Sequence, residues 1–428
     1  MRNSEIKKFI AADIMNVAVT VVICLIGVED IIRYAVLGNG MAFITIATIQ
    51  VAFIFCALAA MLGKCSLLYA PVAAAGIVLY FFMNNAETTQ FNVDLLVQAV
   101  IAVTGTLVCT VFAVKGRIRP VKFAVILLVP VVAIVGVYGT AWGVGTVSDN
   151  ALSTAKSTVW SVPDKFEAAD CSQPGRIEEL IYSTKAYATD GRIVTKRALV
   201  YVPYGYSENN KYDILYLLHG TGDNEEYWLK TNSFNKDMLD NLIYYGEIPP
   251  LIVVTPTWYV EDDCKGDLDP LTYSFKNELR NDLMPAAESK YSTYATYCNE
   301  EAFASSRSHR AFAGLSRGAV TTLRSVLNGC LDLFSRFGTF SGSRTPVEYF
   351  EQNACSPKQS DLSIDYWYVA SGTFDFALSS QVEDYKAVLS IDGRLKEGVN
   401  TSFDVFPMRC HSMGNWHLAL YNFLIKAF

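Results

Sequence analysis

A serine flanked by glycines is the residue of this chain best placed to do chemistry. It lies in Ala311-Phe-Ala-Gly-Leu-Ser316-Arg-Gly318, a G-x-S-x-G pentapeptide between a short apolar run and a helical pattern. On a sharp turn from a strand into a helix, the serine Oγ stands clear of the sheet, and glycines keep side chains out of the turn. Because a G-x-S-x-G pentapeptide also occurs by chance, other segments must supply the remaining groups that acyl transfer requires.

A nucleophilic serine needs a base, a residue that orients the base, and donors for the oxyanion. The sequence has four histidines, which limits the search for the base. His411 lies on a loop after the last predicted strand, the position of the base when a triad has the chain order serine, acid, histidine. His309 directly precedes the strand of the serine, and His417 falls within the final helical pattern, so we interpret both as structural.

The acid that orients the base is expected between the serine and the histidine in chain order. Asp375 is the first carboxylate after a predicted strand that ends in a Ser-Gly-Thr turn, and catalytic groups gather at the carboxyl ends of parallel strands. Asp361 and Asp365 precede that strand and would lie at its other end. Asp404 lies inside the last strand and is a weaker candidate, while helix capping is the alternative role for Asp375. The predicted triad is Ser316, His411 and Asp375.

Two backbone amides are candidates for the oxyanion hole. One is the N–H of Arg317, and the other is the N–H of Thr221, which follows an apolar strand ending in His219-Gly. We interpret His219 as a residue that shapes this loop or contacts substrate, rather than as the base. Trp228 and Trp258 are candidate platforms for stacking on a sugar, with burial in the core as the alternative. The sequence has no C-x-x-C pair and no H-E-x-x-H motif, so we expect neither a metal nor a cofactor.

Strand and helix patterns alternate from about residue 170 onward. The predicted strands are Arg197–Pro203, Tyr212–His219, Leu251–Thr257, Ala311–Ala313, Phe334–Phe340, Tyr366–Ala370 and Ser402–Phe406. The predicted helices are Ser274–Ser289, Gly318–Leu327, Ser380–Leu395 and Asn415–Ala427. This alternation predicts an α/β fold with a mostly parallel, doubly wound sheet that helices cover on both faces.

The first part of the chain is far more apolar than the rest. The whole chain is 51% hydrophobic and 18% charged, yet residues 1–150 hold only nine Lys/Arg and seven Asp/Glu. Five apolar runs there approach the ~20 residues that a helix needs to span a bilayer. The runs are 9–28, 41–62, 66–83, 94–114 and 121–143. We therefore predict a transmembrane region of about five helices at 1–143, a linker at 144–165 and a globular domain at 166–428.

The distribution of charge predicts how this region is oriented. Lysines and arginines lie before the first run, between the second and third, and between the fourth and fifth. By the positive-inside rule the N-terminus is cytoplasmic, and an odd number of spans places the globular domain outside the cell. No run has an ionisable residue at its centre, so we expect a multi-pass anchor with the lipid bilayer as partner. The acidic globular part argues against nucleic acid as a partner.

Six cysteines fall in the part predicted to be exported: Cys171, Cys264, Cys298, Cys330, Cys355 and Cys410. An even number outside the cytoplasm permits disulfides, and the sequence leaves their pairing open.

Residues from about 170 to 428 resemble the esterase D-like α/β-hydrolases, and within them the bacterial feruloyl and acetylxylan esterases. The resemblance rests on Tyr201-Val-Pro-Tyr-Gly-Tyr, Tyr212-Asp-Ile-Leu-Tyr-Leu-Leu-His219-Gly, Thr221-Gly-Asp-Asn-Glu-Glu-Tyr-Trp228, the Ser316 pentapeptide, and His411-Ser-Met-Gly-Asn-Trp416. It implies an α/β-hydrolase fold and the same triad of Ser316, Asp375 and His411. Two residues depart from the family pattern and leave the substrate open. Arg317 replaces a small residue or methionine, and Cys410 replaces a glycine or alanine.

We therefore expect a membrane-anchored, extracytoplasmic serine esterase that hydrolyses carboxylic esters by way of an acyl-enzyme. Its substrate would be an ester linked to carbohydrate, such as an acyl or feruloyl group. One alternative is an acyltransferase that moves the acyl group to an envelope sugar or lipid. Another is a catalytically inactive hydrolase domain that serves as a membrane receptor or scaffold.

Overall fold

The computed structural model describes residues 3–37, 40–62, 66–83, 94–95, 97–103, 106, 158–260 and 266–428. These residues form two compact units. One unit holds the N-terminal helices together with Gly372–Phe376 and Val405–Ser412. The other holds the rest of the described chain from residue 158 onward.

An eight-stranded sheet organises the chain from residue 176 onward. Its strands are β1 (Arg176–Lys185), β2 (Ile193–Val202), β3 (Asp213–Leu218), β4 (Leu251–Thr255), β5 (Arg310–Leu315), β6 (Arg336–Phe340), β7 (Tyr366–Gly372) and β8 (Thr401–Phe406). They lie in the order β1-β2-β4-β3-β5-β6-β7-β8. Strand β2 pairs antiparallel with β1 and β4, whereas β4, β3, β5, β6 and β7 pair in parallel. The prediction of a mostly parallel sheet is confirmed.

Helices precede the sheet and connect the strands from β3 onward. They are α1 (Asn3–Leu37), α2 (Gly40–Leu62), α3 (Ala70–Met83), α4 (Asp164–Glu167), α5 (Phe234–Tyr244), α6 (Asp269–Glu278), α7 (Met284–Lys290), α8 (Glu300–Ser305), α9 (Arg317–Thr321), α10 (Val347–Gln352), α11 (Leu378–Ile391) and α12 (Met413–Ala427). A wide helical turn at Leu279–Leu283 joins α6 to α7, and another at Thr322–Leu327 extends α9. All four predicted helices of the globular part are present within a few residues.

Strand β1 and helix α5 were not predicted from the sequence. In β1 only every second residue of the C-terminal half is buried, and the strand lies at the edge of the sheet. Charged residues such as Glu178 and Glu179 weaken its apolar pattern, and such charges protect an edge strand from pairing with other chains. Helix α5 buries Met238, Leu239 and Leu242 together with the polar Asn235, Asp240 and Asn241, so polar residues interrupt its buried apolar face.

A buried ion pair lies between the sheet and helix α6. Lys196 Nζ donates to both carboxylate oxygens of Glu278, at 2.7 and 2.8 Å, and to the carbonyl oxygen of Thr257 at 2.6 Å. The hydroxyl of Tyr182 donates to the same carboxylate at 2.6 Å. Burial raises the pKa of Glu278, and the lysine and tyrosine oppose this rise. The pair therefore ties the edge of the sheet to the loop that follows β4.

The N-terminal helices do not support the prediction of about five transmembrane spans. Among the described residues, one segment, Phe43–Leu62, has the length and composition needed to cross a membrane, and the apolar segment Ala70–Leu79 is shorter. Helix α1 runs on to Leu37 through Asp30 and Arg33, which lie between the predicted runs 9–28 and 41–62. The predicted run at 121–143 and part of the run at 94–114 lie outside the described residues.

Polar side chains lie inside this helical unit. The carboxylate of Asp30 is buried and accepts hydrogen bonds from Gln50 at 2.7 Å and from Arg33 at 2.9 Å. Arg33 also donates to Asp94 at 3.1 Å, and Gln50 exchanges hydrogen bonds with Gln98. Apolar side chains on the same helices are exposed, including Val21, Leu25, Val28, Ile32, Val36, Val51, Phe55 and Leu62. The exposed faces of these helices are thus largely apolar, whereas helix faces exposed to water are usually polar.

Candidate active site

Ser316 lies on the sharp turn between strand β5 and helix α9. Its backbone has a φ of 50° and a ψ of −116°, which is unusual for a residue other than glycine. The N–H of Ser316 donates to the carbonyl of Phe340 at 2.7 Å, and its carbonyl accepts from Val320 at 3.1 Å. The turn is therefore held by the end of β6 on one side and by the helix on the other. Strain of this kind is concentrated at functional sites.

Three glycines allow other backbone segments to approach this turn. A Cβ on Gly318 would lie 2.6 Å from the carbonyl oxygen of His219, and one on Gly314 would lie 2.5 Å from the carbonyl carbon of Gly318. A Cβ on Gly342 would collide with the carbonyl oxygen of Ser316. Any other residue at these positions would push the surrounding backbone apart.

His411 and Asp375, the predicted base and acid, are joined by a hydrogen bond. Nδ1 of His411 lies 2.9 Å from Oδ1 of Asp375. The ring of Phe376 packs on the imidazole at a centroid distance of 4.2 Å. A carboxylate on Nδ1 orients the ring and favours the tautomer whose Nε2 can accept a proton. The weaker candidate, Asp404, instead binds Tyr368 and Lys426 at 2.7 and 2.8 Å.

His309 and His417 each contact side chains that hold them in the fold. His309 Nδ1 lies 2.6 Å from Asp213, and its ring stacks on Tyr294. His417 Nδ1 lies 2.7 Å from the side-chain oxygen of Asn235. These contacts agree with the interpretation of both histidines as structural.

His219 braces the loop that follows strand β3. Its side chain is buried, with Nδ1 2.7 Å from the carbonyl oxygen of Gly220 and Nε2 2.8 Å from the hydroxyl of Thr257. Burial lowers the pKa of His219 to about 4, so the ring is neutral near pH 7. On the other side of the loop, the N–H of Gly222 donates to the hydroxyl of Tyr259 at 3.0 Å. His219 is therefore a brace of the loop that carries Thr221, and its buried ring is closed to substrate.

The side chain of Arg317 makes two polar contacts that were not predicted from the sequence. Its Nη1 pairs with Asp269 Oδ1 at 2.5 Å, and its Nε donates to the hydroxyl of Thr221 at 3.3 Å. Arg344 lies farther from the same carboxylate, at 3.9 Å. Burial raises the pKa of Asp269, but hydrogen bonds from Arg317 and Tyr273 outweigh it, so the pKa lies below the usual value. The cation beside the serine is thus paired with an ionised carboxylate.

Trp228 and Trp258 do not have the exposure that a sugar platform needs. Trp228 is 0% exposed and donates to the carbonyl of Leu218 at 3.1 Å. Trp258 is 1% exposed and stacks against His219 and Tyr259. Neither indole has an open face, so both are core residues, and the alternative of burial holds for both.

The described cysteines of the globular part include the free thiols Cys171, Cys298, Cys330 and Cys355. Cys264 lies outside the described residues. Cys410, which directly precedes His411 in the sequence, is buried. Its Sγ lies 3.5 Å from the hydroxyl of Ser412.

The described residues thus contain the groups that acyl transfer uses. A serine stands on a strained turn, a histidine is oriented by a buried carboxylate, and a braced loop carries a candidate N–H donor beside the turn.

Comparison with known proteins finds one matching family and several similar proteins. The model of the family described as "Putative esterase" matches residues 195–404. Endo-1,4-beta-xylanase Y from Acetivibrio thermocellus is 36% identical over 239 residues, which cover 54% of this chain and 21% of that protein. An endo-1,4-beta-xylanase/feruloyl esterase from Xylanibacter ruminicola is 29% identical over 238 residues, covering 54% of this chain and 29% of that protein.

One solved structure is similar to this chain over nearly the whole length of the solved chain. It is a mutant of the feruloyl esterase module from Clostridium thermocellum in complex with sinapinate. It is 31% identical, with a TM-score of 0.55, and the match covers 64% of this chain and 95% of that one. The chain therefore spans less than a third of each curated relative but almost all of this module. The globular part has an α/β-hydrolase-like esterase fold.

The buried neutral state of His219 predicts how stability depends on pH. An unfolded histidine has a pKa of about 6.5, so between pH 6.5 and 4 the unfolded chain binds more protons than the folded one. The contribution of His219 to the free energy of unfolding is then largest above pH 6.5, and about 2 kcal/mol of this contribution is lost between pH 7 and pH 5. In His219→Gln, which cannot titrate, this part of the loss should vanish.

Urea unfolding of both proteins at pH 7 and pH 5, followed by tryptophan fluorescence, measures the difference. An equal loss of stability in the wild type and the variant would contradict a neutral, buried His219.

Proposed function

The chain belongs to the esterase family, and from this premise we propose that it hydrolyses carboxylic esters with Ser316 as nucleophile, His411 as base and Asp375 as the orienting acid. The observation that carries the proposal is the backbone of Ser316, held at a positive φ between strand β5 and helix α9. The hydrogen bond between His411 and Asp375 supports the other two assignments. Similarity to a feruloyl esterase module supports the reaction class.

In the proposed mechanism, His411 Nε2 takes the proton of the Ser316 hydroxyl as Oγ attacks the ester carbonyl. The negative charge on the carbonyl oxygen is stabilised by the backbone N–H groups of Thr221 and Arg317. The tetrahedral intermediate expels the alcohol, which receives the proton from His411, and the acyl-enzyme remains. A water molecule then repeats the sequence with His411 as base, releasing the acid and restoring the serine.

The proposed substrate is an acyl or feruloyl ester on carbohydrate. One curated relative has feruloyl esterase in its name, both have xylanase, and the similar module was solved with sinapinate. Because the buried faces of Trp228 and Trp258 leave no stacking platform, we leave these residues out of the proposed substrate site.

Methyl ferulate and p-nitrophenyl acetate test this proposal. We expect Ser316→Ala to lower turnover of both esters by at least about 10³-fold, because the nucleophile is lost while the oxyanion donors remain. Ser305→Ala is the matched control, since Ser305 is an exposed serine on α8 whose hydroxyl bonds only locally to Ala302. It should retain wild-type turnover.

The same assay separates the alternatives. An acyltransferase would consume the ester faster when a sugar acceptor is added and would release acylated sugar in place of the free acid. A catalytically inactive scaffold would give equal, background turnover in the wild type and in Ser316→Ala, which would contradict the proposal.

We also propose that the N-terminal helices hold the esterase at a lipid bilayer, with the globular domain on the outer side. The support is the exposed surface of these helices, which is largely apolar, while the polar side chains of Asp30, Gln50 and Gln98 are buried. Lipid tails favour apolar surfaces, whereas polar side chains inside a helical unit find partners among themselves. The segment Phe43–Leu62 is long and apolar enough to span. The proposed arrangement has more than one membrane-embedded helix.

Membrane attachment is tested with the full-length protein expressed in a bacterial host. We expect it to stay in the membrane fraction after alkaline carbonate extraction, with residues 1–62 still present by intact mass. In a variant that lacks residues 1–157, the esterase should appear in the soluble fraction. Cleavage of the wild type near the N-terminus, or its release by carbonate, would instead indicate a signal sequence or a peripheral protein.

A further inference from the structure

We propose that the Arg317 side chain is a positioning residue for the oxyanion hole, which it joins to helix α6 by contacts with Thr221 and Asp269. The inference rests on the proposed function, because it assigns a part to a side chain beside the proposed nucleophile. It also explains why an arginine stands at a position where a small residue or methionine is more usual.

Both proposed oxyanion donors are linked through this one residue. The backbone of Arg317 supplies one N–H, and its Nε donates to the hydroxyl of Thr221, whose backbone supplies the other. The loop of Thr221 runs directly beside the nucleophile, since a Cβ on Gly220 would lie 3.3 Å from the Cβ of Ser316. A shift of this loop would therefore move one donor relative to the reacting carbonyl.

Pairing with Asp269 makes Arg317 a fixed element rather than a free cation. The Arg317 side chain is only 15% exposed, and its Nη1 lies 2.5 Å from the carboxylate. Tyr273 donates to the other oxygen of Asp269 at 3.0 Å, so the carboxylate is itself oriented. The planar guanidinium uses Nη1 for Asp269 and Nε for Thr221, a fork that a lysine ammonium cannot reproduce. This arrangement leaves Arg317 poorly suited to bind an anionic group of the substrate.

The Thr221 loop has supports on two sides, and Arg317 supplies the one on the side of α6. Thr257 and Tyr259, which lie in the segment that follows β4, hold the loop through their contacts with His219 and Gly222. The Arg317 contact holds it from the nucleophile turn itself. Oxyanion donors act only within about 2.7–3.1 Å of the developing charge, and a displacement of about 1 Å can cost up to ~10²-fold in rate.

The test measures kcat and KM of the full-length protein for methyl ferulate, with active sites counted by fluorophosphonate titration. In Arg317→Met we expect kcat per titrated site to fall about 10- to 100-fold while KM changes less than about threefold. Arg317→Lys, which keeps the ion pair but not the fork, should give an intermediate kcat. This pattern separates positioning of a transition-state donor from binding of the ground state.

A second variant keeps the proposal testable if Arg317→Met folds poorly. Thr221→Val removes the hydroxyl that accepts from Arg317 but keeps the backbone N–H. It should lower kcat as well, and the double variant should be no slower than Arg317→Met alone, because both changes break the same contact.

Arg344→Gln is the matched control. It removes a cation near Asp269 that is 60% exposed and lies 3.9 Å from the carboxylate, and we expect kcat to stay within about twofold. An unchanged kcat in Arg317→Met, or a rise in KM alone, would overturn the positioning role. A failure of the proposed esterase function would give another result. The wild type and Ser316→Ala, assayed in the same series, would then have the same turnover.

Discussion

The turn at Ser316 brings three backbone segments together in a space that has no room for side chains between them. Strand β5 lies between β3 and β6 with parallel pairing on both sides, so the loops that follow these three strands leave the same edge of the sheet. Gly318 packs against the carbonyl of His219 from the first loop, and Gly342 of the third packs against the carbonyl of Ser316. The positive φ of Ser316 costs about 1–3 kcal/mol, which this crowded surrounding must offset.

Charge around this turn is compensated by specific pairs. The globular part is acidic, and two cations near the segments that hold the Thr221 loop have carboxylate partners: Arg317 with Asp269, and Lys196 with Glu278. Lys196 also binds the carbonyl of Thr257, whose hydroxyl meets His219. His219 itself is neutral near pH 7 because it is buried. In the proposed mechanism, the charge of the oxyanion would therefore be met by fixed backbone dipoles, which need no rearrangement during the reaction.

Much of this domain could be predicted because its signals are local. The central strands are buried on both faces and form short apolar runs, and the serine and its glycines are adjacent in sequence. Asp269 had no such signal, since it lies 48 residues before Arg317 and meets it only through the packing of α6. The tryptophans show the same limit. Residue type indicates that an indole can stack, whereas only the fold determines whether its face is covered.

The end of helix α1 was predicted wrongly for a different reason. Clustered charges such as Asp30 and Arg33 usually indicate a loop between spans, yet helix α1 continues through them because they pair with each other and with Gln50 and Asp94. A charge that finds a partner inside a helical unit need not end the helix. Hydropathy and charge along the chain do not contain that pairing, which depends on contacts between helices.

The central claim is that Ser316 forms the covalent intermediate, and the site of a fluorophosphonate adduct tests it most directly. The full-length protein is labelled with the probe, digested, and analysed by peptide mass spectrometry. The proposed mechanism predicts a single adduct on the peptide that contains Ser316, formed much more slowly in His411→Ala. An adduct on another serine, or none on the folded protein, would contradict it.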